Sequence, residues 1–127
     1  MRVYVDADVL IWHLRGERRA ADLLHRLRAD LAYELWTGAL QRAEVVFFMR
    51  PEEESGTLLL LAQLRTAPIT QQIVDHGGAL YRKYNPSHSM DVNDALLAAT
   101  AMATGGRIYT LNTKHYPGDE VPVERAW

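Results

Sequence analysis

Apolar and polar positions along the chain switch repeatedly between a strand-like and a helix-like rhythm. Residues 1–5 form an apolar run with β-branched and aromatic members that stops at Asp6, the pattern of a buried strand with a carboxylate at its C-terminal end. Val9, Leu10, Ile11, Trp12 and Leu14 then follow until Gly16 interrupts them, which predicts a short helix leaving the strand end, with Asp8 as its cap. Residues 17–30 place Ala20, Leu23, Leu24 and Leu27 at helical spacing, with Leu31 one turn on and the arginines on the other side. The LAYELW stretch, residues 31–36, alternates as a second strand, and Thr37 is expected to cap the helix after it. In that helix, residues 38–50, the expected buried stripe is Ala39, Ala43, Val46 and Phe47, with Glu44 near the middle. A carboxylate among apolar residues needs a partner.

Pro51 ends that helix and suits the first turn of the next, where its missing N–H costs nothing. Glu52, Glu53 and Glu54 then fall where the helix dipole favours acids, and Leu58, Leu59, Leu61 and Leu64 supply an apolar face. Residues 67–69 are a short strand candidate. Thr70 caps a helix running through Ile73, Val74 and Leu80 to about Tyr84, and Asn85, Pro86 and Ser87 read as a turn. The stretch SMDVNDALLAATAMATGGRIYTLN, residues 89–112, gives an Asp-rich helix start, an apolar helix, a Gly-Gly stop and a strand over 107–111. Its alanines let the helix approach a sheet closely, and Gly105 and Gly106 are expected to take the left-handed conformations that end helices. The remaining residues, from Lys114, contain two prolines and a glycine and form a tail suited to pairing with a sheet edge. The alternation predicts one α/β domain over residues 1–127, a mainly parallel sheet with helices on both faces.

Composition changes this picture little. Nearly half of the residues are apolar, and 14 basic against 16 acidic side chains leave a net charge of −2, so the total does not advertise a polyanion partner. The distribution is more informative. Arg15, Arg18, Arg19, Arg26 and Arg28 crowd one early segment beside His13 and His25, either a solvated helix face or a local positive field suited to phosphates. The lack of cysteine removes disulfides and thiol-ligated zinc. No apolar run approaches the length of a membrane span and no signal pattern opens the chain, so the expected location is the cytoplasm.

Candidate chemistry gathers at the C-terminal ends of the strands, where ligands bind in open α/β sheets. Asp6, Glu44, Asp94 and Asn112 are all expected to point at that edge. Such oxygen donors without a cysteine or a histidine pair suit a hard divalent ion, Mg²⁺ or Mn²⁺, in preference to zinc. Asp91, three residues before Asp94 and on the same side of the helix, is either a helix cap or a further metal ligand, and capping accounts for it fully. Asn112 could orient a water or a ligand carboxylate, or simply turn the chain after the strand, and His115 could contact phosphate, although a lone loop histidine is most often merely exposed.

VYVDADVLIWHLRG, the RAEV around Glu44, NDALLAATAMATG and YTLNTKHY together resemble the PIN-domain ribonucleases, in particular the VapC-type toxins of bacterial toxin–antitoxin pairs. The resemblance covers nearly the whole chain in order and implies a PIN-like three-layer α/β/α sandwich. It places the family's first acid on Asp6, its helical Glu on Glu44, its motif Asp on Asp94 and its last polar position on Asn112. A further acid often follows three residues later in the family, and His115 stands there instead. The resemblance implies Mg²⁺-dependent cleavage of RNA to a 5′-phosphate and a 3′-hydroxyl, metal held by Asp6, Glu44 and Asp94, a VapB-type antitoxin as partner, and a homodimer. Arg15 and Arg19 are expected to track the RNA backbone. The apolar surplus at Leu58 to Leu61 and around Trp12, Phe47, Phe48 and Met49 suits a dimer face or a partner helix, or else the core.

Two other readings compete. VYVDADVL looks like the Asp-x-Asp opening of haloacid-dehalogenase-type phosphatases, with Asp6 as nucleophile and Asp8 as acid–base. That chemistry needs a later lysine, and Lys83 and Lys114, the lysines present, do not start a helix after a strand. A domain that keeps the fold and binds RNA or protein without turnover is the third reading; the joint presence of Asp6, Glu44 and Asp94 argues against it.

Overall fold

The computed structural model describes residues 1–127. Val3, Tyr4 and Val5 have no solvent exposure, as expected of a strand covered on both faces, and β1 (Arg2–Val5) is the central strand of a five-stranded parallel sheet. The other strands are β2 (Glu34–Gly38), β3 (Arg65–Ala67), β4 (Arg107–Thr110) and β5 (Val123–Arg125), in the order β3-β2-β1-β4-β5. Tyr4 lies beside Trp36 of β2 and Ile108 of β4, and the expected pairing of the tail with an edge is made by β5 on β4. The chain steps outward from β1 to β3 and then returns to the other side of β1, so the strand order reverses between β1 and β4. Ligands of such sheets bind at that reversal.

Alternate residues of β1 serve two cores, which makes the three-layer α/β/α sandwich. Val3 and Val5 face α1 (Ala7–Leu14), α2 (Arg18–Ala29), α3 (Ala39–Phe48) and α4 (Glu54–Leu61), while Tyr4 faces α5 (Gln71–His88) and α6 (Val92–Thr104). Ala95, Ala98, Ala99 and Ala101 are almost wholly buried, so the small side chains of α6 do bring it close to the sheet.

Local chemistry moved several predicted boundaries. Thr37 does not cap α3: it lies at 0% exposure inside β2, and its hydroxyl donates to the Val5 carbonyl at 2.7 Å, tying two strands together. β2 begins at Glu34, leaving Leu31 in solvent, and β3 covers Arg65–Ala67 instead of residues 67–69. α3 packs through Gln41 and Val45, so the predicted stripe is rotated; Phe47 and Phe48 are 79% and 81% exposed. α4 packs through Thr57, Leu60 and Leu61, which leaves Leu58 and Leu59 at the surface. The apolar surplus is thus divided: Leu60 and Leu61 are core, while Trp12, Phe47, Phe48, Leu58 and Leu59 are surface. Asn85, Pro86 and Ser87 belong to the last turn of α5 and not to a turn after it; Pro86 forfeits a bond only near the helix end, and the Asn85 amide donates to the Met90 carbonyl at 3.0 Å. Of the paired glycines only Gly105 is left-handed, with φ 67°. Gly106 answers a different need, because a Cβ there would lie 2.5 Å from the Tyr4 ring.

Candidate active site

β1 delivers Asp6 to the strand reversal, where the residue is 8% exposed and starts α1. Its Oδ1 accepts from the Ala7 amide at 2.8 Å, so Asp6, not Asp8, caps that helix. Its Oδ2 accepts from the hydroxyls of Thr110 at 2.9 Å and Tyr116 at 3.1 Å. The Tyr116 oxygen also lies 3.3 Å from Asp94 Oδ1. A phenol has one proton, so it serves these two carboxylates alternately.

α6 holds Asp94 with equal care. The Asp94 amide donates to Asp91 Oδ1 at 2.7 Å while the Asp91 amide donates to Asp94 Oδ2 at 3.1 Å, a reciprocal capping box that confirms Asp91 as a helix cap. His115 Nδ1 approaches the same Oδ2 at 3.3 Å. The short turn Thr113–His115 and the residue after it thus present consecutive side chains, His115 and Tyr116, to the two oxygens of Asp94.

Asp8 is neither the α1 cap nor a free acid–base. Its Oδ2 accepts from the Leu111 amide at 2.9 Å and the Asn112 side chain at 3.2 Å, which fastens α1 to the end of β4. Asn112 reaches the site's margin through this contact.

Burial raises the proton affinity of the whole group. Desolvation pushes the Asp6 carboxyl up to about 6, with the charge of Asp8 adding to it. Asp94 rises to about 7, through desolvation first and then the neighbouring charges of Asp91 and Asp6. Tyr116 lies well above the ordinary phenol value, because burial and both carboxylates oppose its ionisation. No lysine or arginine pairs with Asp6, Asp8 or Asp94; His115 is the one basic side chain in contact. Facing carboxylates without a countercharge are what a divalent cation relieves, and two carboxylates with solvent and substrate oxygens are a usual Mg²⁺ ligand set. On that chemistry the Asp6–Asp94 pair fits such an ion.

Glu44 is not joined to the pair. Its carboxylate accepts from the side-chain amide of Asn93, the residue before Asp94, and nowhere do three acidic or histidine side chains come close enough together to hold a metal. Asp6 and Asp94 thus share the Tyr116 hydroxyl, while Glu44 reaches the residue beside Asp94. Gln41, one turn earlier on the same face of α3, donates to the Asn93 carbonyl at 3.4 Å, so both side chains meet α6 at the residue before Asp94. Glu44 also lines a cavity of about 660 Å³ with Arg15, Phe48 and Met49 among others. Arg15 and Arg19 are both exposed, each near an indole: Arg15 at 5.7 Å from the Trp12 ring and Arg19 at 5.6 Å from the Trp127 ring. The residues missed from sequence are Thr110, Tyr116 and Asn93. A polar residue closing an apolar strand was the available signal for Thr110; nothing in the tail singled out Tyr116.

The profile described as "PIN domain" matches residues 3–117, and the chain belongs to the PIN domain family. Among its relatives, "Ribonuclease VapC10" of Mycobacterium tuberculosis is 38% identical over 116 residues, 91% of this chain and 86% of the relative. "Ribonuclease VapC19" of the same organism is 32% identical over 114 residues, 89% and 90% of the two chains. Among solved structures, a toxin–antitoxin complex from Klebsiella pneumoniae superposes with a TM-score of 0.80 at 23% identity, covering 98% of each chain. A DNA-bound VapBC from Salmonella typhimurium gives 0.81 at 12% identity, covering 100% of this chain and 99% of the other; at these identities the likeness concerns the fold. Family membership displaces the phosphatase resemblance of the first strand.

Proposed function

We propose that the protein is an endoribonuclease that hydrolyses RNA phosphodiester bonds with Mg²⁺ or Mn²⁺, acting as the toxin of a VapBC-type pair. The observation that carries this reading is the single Tyr116 hydroxyl within hydrogen-bond distance of both Asp6 and Asp94, two buried carboxylates at the strand reversal. The relatives named as ribonucleases support the same activity. Asp6 and Asp94 would hold the cation. A divalent ion there supplies charge neutralisation at the phosphate and makes water acidic enough to act as nucleophile near neutral pH. Thr110 and Tyr116 keep Asp6 aimed, the Asp91 amide and His115 keep Asp94 aimed, and Glu44 with Asn112 flanks the pair from opposite elements. Arg15 and Arg19 lie outside this acidic ground and bind backbone phosphates, an attraction that weakens with salt.

Partners follow from the surface. Phe47, Phe48 and Leu59 are largely exposed beside the cavity that Glu44 lines, an apolar surface suited to the amphipathic helix of a VapB-type antitoxin or to a second copy in a homodimer. The solved toxin–antitoxin complexes of this fold support the first partner.

RNA cleavage in Mg²⁺ and in EDTA, with Asp6→Asn and Asp94→Asn beside the parent, tests the activity. Cleavage only by the parent and only with metal is expected. Binding of RNA without turnover by the parent would replace the nuclease with a binding domain.

A further inference from the structure

Beside the acidic site lies a second, smaller cavity of about 280 Å³, lined by Trp12, Glu17, Arg19, Leu111, Arg125 and Trp127. We propose that it is a subsite for one unpaired base of the RNA chain and the phosphate attached to it, next to the bond being cut. This rests on the nuclease reading and adds to it where a neighbouring nucleotide goes.

Position is the first reason. The Leu111 amide donates to Asp8 at 2.9 Å, and the Leu111 carbonyl accepts from Arg125 Nη1 at 3.3 Å. A single residue therefore joins the acidic margin of the site to the guanidinium of the cavity, which sets the two side by side.

Chemistry is the second. An indole offers a flat apolar face, and Trp12 leaves 44% of its surface in solvent at this rim. Trp127 also lines the cavity, packed against the core and with the Arg19 guanidinium 5.6 Å from its ring. Arg125 is held in place by a second bond, Nε to the Trp127 carbonyl at 2.8 Å. Glu17 pairs with Arg19, and Arg125 brings a second guanidinium to the lining. Flat faces with guanidinium groups at their edge are how proteins hold splayed-out bases of single-stranded RNA, through stacking plus a phosphate contact. A partner protein helix would want a wider apolar surface, which the molecule has elsewhere in the exposed rings of Phe47 and Phe48 beside the larger cavity.

The subsite is tested by binding in EDTA, where no cleavage intervenes. A labelled oligouridylate of about six nucleotides, within the usual span of a single-strand groove, is compared by fluorescence anisotropy with a base-less sugar–phosphate strand of the same length. The parent is expected to bind the base-bearing strand roughly ten-fold more tightly, the usual worth of a base–aromatic stack. Trp12→Ala should fall to the base-less level, and Trp12→Phe should restore most of the preference. Arg125→Gln should weaken both strands and lower the salt dependence by about one phosphate contact. Melting curves of each variant show that it is folded. Equal binding of the two strands by a parent that cleaves RNA, or a full base preference in Trp12→Ala, overturns the subsite and leaves the nuclease intact. No binding of either strand and no cleavage with metal overturns both. Loss in Trp12→Ala of partner-protein binding alone assigns the cavity to a protein contact and also ends the proposal.

Discussion

His115 Nδ1 lies 3.3 Å from Asp94 Oδ2, on the oxygen turned away from Tyr116. An imidazole thus stands at the position where the resemblance to PIN-domain toxins leads one to expect another acid, and the site holds fewer carboxylates than that pattern would give it. The first prediction tests that trade. His115→Asp should lower the melting temperature in EDTA by a few degrees and enlarge the rise produced by Mg²⁺, because an added carboxylate raises repulsion that a cation then relieves. Thermal melting with and without Mg²⁺ reads both numbers, and an unchanged Mg²⁺ response would count against the cation lying at Asp94.

Asp6 ties stability to pH. Folded Asp6 keeps its proton up to about 6, against 3.8 for the free side chain, so between those values the native state binds more protons than the unfolded chain. Stability without metal should therefore fall as pH rises through that window. Asp6→Asn has no proton to lose, and should be more stable than the parent by on the order of 2–3 kcal/mol at pH 8 in EDTA, with the gain shrinking toward zero near pH 4. Urea unfolding at the two pH values measures it.

Tyr116→Phe keeps the buried ring and deletes the shared donor. The loss should be about 1–3 kcal/mol in EDTA, the usual cost of stranding a buried acceptor, and smaller in Mg²⁺, when a cation serves the same oxygens. Equal losses in both conditions would mean that the hydroxyl and the cation do not share those atoms.

Neighbouring glycines should respond unequally to alanine. Gly105→Ala meets open space at φ 67° and should cost about 1 kcal/mol of left-handed strain. Gly106→Ala drives a methyl to 2.5 Å from the Tyr4 ring and 3.0 Å from the Arg2 carbonyl, where the chain enters β4 against β1, and should cost about 1–3 kcal/mol. Denaturant midpoints of the two variants rank them.

What could be read in advance follows from which forces are local. The order of strands and helices, the edge pairing of the tail and the Asp91 cap rest on patterns a few residues wide, and the structure has them. Thr37 and Asp8 were misplaced because each bonds across the fold, to Val5 and to Leu111, and no short window contains those partners. The face that α3 turns to α6 is set by Asn93, more than fifty residues later in the chain, which bonds both Gln41 and Glu44 and leaves Phe47 at the surface. Tyr116 lies in a tail without periodicity. Its meeting with Asp6 and Asp94 is made by the return of the chain to the far side of β1, which only the assembled sheet reveals.

Both acids of the pair also begin helices: Asp6 holds the first amide of α1, and Asp94 closes the box that opens α6. An inert version of this protein, wanted as bait for its partners or for crystals with intact RNA, is for that reason better made with asparagine than with alanine. The amide oxygen goes on anchoring the coil-to-helix transition after the charge is gone, whereas a methyl group silences the chemistry and unravels the scaffold by about 1 kcal/mol per site in the same stroke.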